Sequence, residues 1–267
     1  MRHFLAIAAI AGFLACPALA QEPPAPPPSP AVSPFGDDDL VLELGGGALV
    51  QPAYIGSDEY EVEPNPLYDL KYLRIPGIGT FGGPEENGFI FAPSFNYVDE
   101  RDASEYHDLR GLEDVDAAFE VGATVGYRYD WMRGFVTARQ GFGGHHGIVG
   151  ELGLDAIAQP TQRLTVSAGP RATFGSTDYL EAYLGVKHYE AARSDFREYH
   201  PDGGFTGVGL EGEARYALTE RWSVVGSAGY EHLIGDAADS PITKRGSENQ
   251  FTAALGLTYR FGLDLFK

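Results

Sequence analysis

From Leu40 onward apolar and polar residues alternate with period two, the signature of strands with one apolar face. In Phe119–Tyr129 one face is Phe119, Val121, Ala123, Val125, Tyr127 and Tyr129, and the other is Glu120, Gly122, Thr124, Gly126 and Arg128. Phe251, Ala253, Leu255, Leu257, Tyr259 and Phe261 form a second such stripe against Thr252, Ala254, Gly256, Thr258 and Arg260. Phe89, Phe91, Phe95 and Tyr97 repeat the pattern, as do Leu164, Val166, Ala168, Ala172 and Phe174, and Trp222, Val224, Ala228 and Tyr230. Alternation alone fits a soluble or a membrane barrel. Three features favour the membrane: strands of about ten residues, aromatics gathered near strand ends, and a polar face of glycines mixed with single charges.

The turns give the strands a direction. Thr161-Gln162-Arg163-Leu164-Thr165-Val166 and Thr219-Glu220-Arg221-Trp222-Ser223-Val224 share one pattern and belong to one, periplasmic, end. Counting from them puts a short turn at 130–133 on the same side, long loops at 51–66, 99–116 and 233–249 outside, and the C-terminus in the periplasm. Between 176 and 204 one strand is evident, about 180–188, where parity requires none or two. The turn Pro201-Asp202-Gly203-Gly204 suggests a second, short one. The expected fold is an all-β, transmembrane, antiparallel up-and-down barrel of about twelve strands, with ten as the alternative. An open edge facing lipid would leave backbone groups unsatisfied at several kcal/mol each, so closure is required.

Residues 1–20 read as a cleavable signal peptide. Arg2 and His3 open it, Phe4 to Cys16 is apolar, and Ala18-Leu19-Ala20 is a small-x-small cleavage site. Phe13-Leu14-Ala15 fits a lipobox before Cys16 poorly. Residues 21–39 read as a periplasmic tether, with seven prolines between Pro23 and Pro34, and 40–267 as the barrel. Cleavage removes the only cysteine, so no disulfide can form. The net charge is −19, or −20 without Arg2, which excludes a phosphate-binding surface and a nucleic-acid partner.

Candidate chemistry is sparse. Gly207, Gly209 and Gly212 match G-x-G-x-x-G, but they lie in an alternating strand with no βαβ unit around them. No cofactor is expected. His145 and His146 read as the tip of a tight external loop, without further ligands to complete a metal site. No G-x-S-x-G elbow is present, and no catalytic residue is singled out. Asp58, Glu59, Glu61 and Glu63, with Asp99, Glu100, Asp102, Glu105, Asp108, Glu113, Asp114 and Asp116, make the outer loops acidic. Such loops are either solvated and mutually repelling or able to hold a divalent cation. Glu120, Arg128, Glu151, Asp155, Arg171, Glu211, Glu213 and Arg215 are the expected lining of the lumen. Opposed charges there either conduct small solutes through a narrow passage or pair and plug it.

Several strings resemble the MltA-interacting protein/OmpV family of outer-membrane proteins. They begin with Gly45-Gly46-Gly47, then Pro52-Ala53-Tyr54-Ile55-Gly56-Ser57-Asp58, and continue with Leu109–Asp116, Ala168-Gly169-Pro170 and Tyr183–Val186. The most specific is Gly235-Asp236-Ala237-Ala238-Asp239-Ser240-Pro241-Ile242, completed by Gly246-Ser247 and Gln250. Gly56, Ser57, Asp58, Asp236, Asp239, Ser240 and Pro241 are the motif residues carried by this resemblance. The chain departs from the family's pattern at Ser194-Asp195-Phe196 and at Leu184. The resemblance implies contact with outer-membrane lipid and a scaffolding role. In the founding member that role links a lytic transglycosylase to a murein synthase. It carries no catalytic residues. A scaffold therefore ranks first, a narrow channel second, and a lipid-modifying enzyme third.

Overall fold

The computed structural model describes residues 38–266 apart from 78 and 83–86, with 79–82 described as backbone alone. The expected signal peptide, and the tether up to residue 37, lie outside the described residues. The strands are β1 (Leu40–Pro52), β2 (Tyr60–Ile75), β3 (Gly79–Gly82), β4 (Gly88–Val98), β5 (Ala118–Tyr129), β6 (Met132–Gly143), β7 (Ile148–Thr161), β8 (Leu164–Gly175), β9 (Gly204–Ala217), β10 (Trp222–Leu233) and β11 (Asn249–Leu263). Among the described residues four short α-helices, α1 (Thr177–Leu184), α2 (His188–Ala191), α3 (Gly235–Asp239) and α4 (Pro241–Arg245), and a 3-10 turn at His107–Leu109 complete the set.

All pairings are antiparallel, in the order β3-β2-β1-β11-β10-β9-β8-β7-β6-β5-β4. Chain neighbours pair except β3 and β4, which are the two edges of the sheet, and β1 closes on β11 with Leu40 opposite Leu263 and Val50 opposite Ala253. This is an up-and-down meander with the first long strand beside the last. β3 is a four-residue stub on β2, so the described residues supply ten long strands and not twelve.

The missing pair is the segment 176–204. Its expected strand at about 180–188 is largely α1, because Leu180, Tyr183 and Leu184 recur three and four apart and are all buried. Only the bridge Val186–Tyr199 remains of the expected strand pairing. The expected loop 51–66 is also shorter, since β2 begins at Tyr60 and carries Glu61 and Glu63. Pro64 and Pro66 make this strand read as loop.

The outward face is apolar. Phe89 is 89% exposed, Val62 71%, Tyr129 66% and Leu255 64%, while Glu43, Glu120 and Asp155 on the other face are buried. That inverts the distribution of a soluble protein and is what lipid around a polar lumen requires. Tyr127, Tyr129, Trp131, Trp222, Tyr259 and Phe261 lie near the end with the short turns, and Tyr97, Phe119, Phe142, Tyr230 and Phe251 near the other.

The short-turn end holds both described termini. Asp39 fixes them: its carboxylate accepts the N–H groups of Leu265 (3.0 Å) and Phe266 (2.7 Å) and pairs with Arg74. These backbone donors, Phe266 first, hold the Asp39 carboxyl below the usual carboxylate range. The long-loop end carries the apolar core. Leu109, Leu112, Val115, Leu180, Tyr183, Leu184, Phe196, Leu233, Ala237 and Ile242 pack together from 99–117, α1, the segment after α2, the end of β10, α3 and α4 into a cap.

Candidate functional site: a charged lumen beneath a packed cap

The lumen fills with ion pairs from the short-turn end upward. Glu43 on β1 pairs with Arg215 on β9 and with Arg260 on β11 at 3.0 Å. β1 and β9 are separated in the sheet by β11 and β10, so this contact crosses the interior. Higher up, Asp155 holds Arg133 at 2.6 Å and Arg171 at 2.7 Å. Arg171 also reaches Glu151 (3.3 Å) and Glu211 (3.1 Å). Both guanidiniums lie over the Phe135 ring, at 5.6 Å for Arg133 and 5.1 Å for Arg171. At the mouth Glu120 accepts from Arg139 (2.8 Å) and Asn96 (3.1 Å) and contacts His145 Nε2 at 3.2 Å.

The eight charges singled out from the sequence thus fall into separate layers. Glu151, Asp155, Arg171 and Glu211 form one, and Arg215 belongs to the layer below with Glu213 at 4.0 Å. Glu120 sits alone of the eight at the mouth, and Arg128 at the short-turn end of β5, in register with Gly88 and Arg133. Glu43, Arg133, Arg139, Arg260 and His145 were not among them. The first four could have been found as single charges interrupting an apolar alternation. Beside the Arg171 layer a cavity of about 170 Å³ remains, lined by Glu151, Thr173, Glu211, Glu231 and Gln250. It has room for a few waters at ~30 Å³ each.

The cap closes the other end. His145 is buried and turns down onto Glu120, with its ring edge-on to Tyr179 (5.0 Å) and Tyr183 (5.5 Å). The reading of this loop as a hydrophilic tip is therefore corrected for His145. Burial pulls its pKa below the ordinary histidine value against the raising effect of Glu120, and pushes the Tyr183 hydroxyl up to about 12. Arg101, buried in the cap, donates to the Tyr183 carbonyl at 2.7 Å, and desolvation lowers its pKa.

The acidic outer segment 99–116 is packed into this cap, so repulsion does not govern it. Asp114 accepts the Ala103 N–H (2.9 Å), Asp102 the Ser104 N–H (2.7 Å), and Glu113 pairs with Lys187 (2.9 Å). Glu190 is buried and accepts the N–H groups of Glu113 and Lys187. The carboxylates are used as caps and ion pairs, and no group of three or more ligand side chains gathers around a metal position among the described residues.

The seven motif residues meet here although they come from two ends of the chain. Gly56, at φ +86°, donates to Gln250 Oε1 (3.2 Å) and accepts the Ser247 N–H (2.8 Å). Ser57 is buried; its carbonyl accepts from Gln250 Nε2 (3.2 Å) and its hydroxyl from the Glu59 N–H (3.0 Å). Ser240 donates to the Leu184 carbonyl (2.7 Å) and caps α4, whose first residue is Pro241. Asp236 accepts the Asp202 N–H (2.6 Å), while Asp239 gives its carbonyl to Arg197 (3.2 Å) and its carboxylate to Lys244 (3.7 Å). Asp58 is exposed beside them.

An apolar outer wall, an ion-paired lumen and a hydrogen-bonded cap define a membrane-spanning β-barrel with a filled interior. The model of the MltA-interacting protein MipA family matches residues 44–261, and the chain belongs to that family. It is similar to the MltA-interacting proteins of Escherichia coli (strain K12) and Shigella flexneri, each 29% identical over 157 residues. The match covers 58% of this chain and 61% of those proteins, so the chain spans less than two thirds of their length. Among solved structures, the N-terminal β-barrel domain of Pseudomonas aeruginosa OprF aligns at 14% identity and a TM-score of 0.29, covering 66% of this chain and 98% of that one. Neisserial surface protein A aligns at 10% identity and a TM-score of 0.26, over 84% and 97% respectively.

Proposed function

We propose that this chain is an outer-membrane scaffold: a barrel whose periplasmic turns, with the tether 21–39, hold a murein-remodelling enzyme near the membrane. The observation that carries the reading is the interior itself. Three layers of ion pairs line the lumen beneath a packed cap, and the lowest crosses it from β1 to β9, which favours an anchor over a conduit. The apolar outer wall supports contact with membrane lipid, and the short-turn end would face the periplasm. The name of the family and of the similar enterobacterial proteins supports a lytic transglycosylase as the partner.

The test is twofold. Purified, refolded protein in a planar bilayer is expected to give no unitary current, while immobilised protein retains a lytic transglycosylase from the periplasm of the same cell. Deleting residues 21–34, or replacing the turns 162–163 and 218–221, is expected to abolish retention without unfolding the barrel. Steady currents that change when Arg171 or Glu211 is neutralised would install the channel reading in its place. Retention of the enzyme unaltered by all these changes would remove the periplasmic face as the docking surface.

A further inference from the structure

The barrel wall has one seam without a ladder. In the sheet order β4 and the β3 stub are the two edges, and β3 pairs only with Tyr72–Ile75 at the short-turn end of β2. Residues 60–70 of β2 and 91–98 of β4 therefore face each other, in the half nearer the cap, without a described pairing. What spans the gap is one side chain. The Tyr68 hydroxyl donates to the Phe95 carbonyl and accepts the Phe95 N–H at 3.2 Å.

The backbone parity of these strands can be read directly. In an antiparallel strand the N–H and C=O of one residue point to the same side, and the side alternates residue by residue. Ala53 donates to Glu59 at 3.0 Å, and the register runs unbroken from Pro52–Tyr60 to Leu42–Leu70. Odd-numbered residues of β2 thus bond to β1, and even-numbered ones turn their backbone to the seam. On β4 Phe95 turns its backbone to Tyr68, so Phe91, Pro93 and Tyr97 do likewise. Pro64, Pro66 and Pro93 all fall where an amide would have pointed into the seam. Each is harmless to its own ladder and removes a donor from this one place.

Proline on an edge discourages strand addition, because an incoming strand meets a missing donor. A partner's strand is therefore a poor occupant. Among the described residues, separation of β2 from β4 breaks the Tyr68 latch and its ring contact with Phe95 at 6.2 Å. Behind the slit, on the lumen side, Arg139 reaches Ser94 at 3.4 Å and Asn96 reaches Glu120 at 3.1 Å, a polar and hydrogen-bonding surface. Outside it lie Tyr60, Val62, Phe91 and Tyr97, exposed on the lipid face.

We propose that the β2–β4 seam is a lateral portal, latched by Tyr68, that admits the polar head of a bilayer amphiphile into the lumen. The head lodges beside Ser94, Asn96 and Arg139 while the chain stays in lipid. The inference rests on the chain spanning a membrane and is independent of the scaffold reading.

The test uses the full chain with Cys16→Ser and Ser94→Cys, labelled with bimane at the single introduced thiol and refolded into phosphatidylcholine vesicles. Lysophosphatidylcholine with a nitroxide on its choline head is expected to quench the label several-fold more than a chainless nitroxide-choline at the same concentration. Tyr68→Phe is expected to increase that quenching. Pro64→Ala, Pro66→Ala and Pro93→Ala together are expected to reduce it several-fold, by letting β2 and β4 pair. Equal quenching by a chainless nitroxide-choline would overturn the lateral route. If the triple variant does not fold, Tyr68→Phe decides alone, and unchanged quenching there would overturn the latch.

Discussion

At the scale of single residues, backbone freedom and burial decide more than residue type. Gly56 occupies φ +86°, and a Cβ there would stand 2.6 Å from Thr243 Oγ1 and 2.9 Å from Thr243 Cα. Gly56→Val therefore combines a left-handed backbone with a collision, at a cost of ~1–3 kcal/mol for the conformation alone. The expected outcome is a cap cleaved faster by trypsin on a barrel that still refolds, measured by limited proteolysis. Equal proteolysis of the two proteins would show that the Gly56–Gln250 junction does not hold the cap. The glycine could be picked out in the sequence as part of a motif. Thr243, the residue that forbids a side chain there, could not.

At the scale of elements, the cap is where chain pattern and structure part. α1 carries tyrosines and leucines that also suit a strand, and what selects helix is the apolar floor formed by Leu109, Leu112 and Ile242. The hinge between cap and lumen is His145, faced by Glu120, Tyr179 and Tyr183, with His146 adjacent. Burial lowers its pKa from 6.5, so the folded protein binds fewer protons than the unfolded chain. The stability it contributes is present above 6.5 and is lost as pH falls from there through the depressed value. His200, raised by Glu198 and Glu181, acts in the opposite direction: its contribution is complete below 6.5 and is lost as pH rises through the raised value. The protection of amides in 99–117 and α1, relative to the intrinsic exchange rate at each pH, is expected to fall on acidification from about pH 7.5 to about 5.5. His145→Gln should flatten that dependence. A slope unchanged by His145→Gln would assign the titration elsewhere.

At the scale of the whole molecule, the barrel is held by its ladder and filled by its charges. Glu43 has a side chain 2% exposed, and it separates Arg215 from Arg260. Glu43→Gln would leave two guanidiniums facing each other. Because Arg260 is 40% exposed, the loss should fall at or below the lower end of the ~3–5 kcal/mol typical of breaking a buried pair. Urea unfolding in vesicles measures it, and a variant as stable as the wild type would mean that lumen water screens the pair completely. Phe135 adds an apolar filler between Arg133 and Arg171, and a Cβ on Gly153 would run into its ring.

Strand alternation, turn length and the lack of basic surface are local properties, so the chain by itself determined a β-barrel, its outward apolar face and the sidedness of its loops. Side-chain direction follows from parity along a strand, and parity needs no partner. The count of ten strands, the cap and the ion-pair layers were decided only by tertiary structure. Gly56 and Gln250 lie 194 residues apart, and Glu43 and Arg260 217. Their meeting depends on β1 closing against β11. An inward charge shows in the sequence as a break in an apolar stripe, but which opposite charge it meets across the lumen is fixed by strand order and register, which no single strand contains.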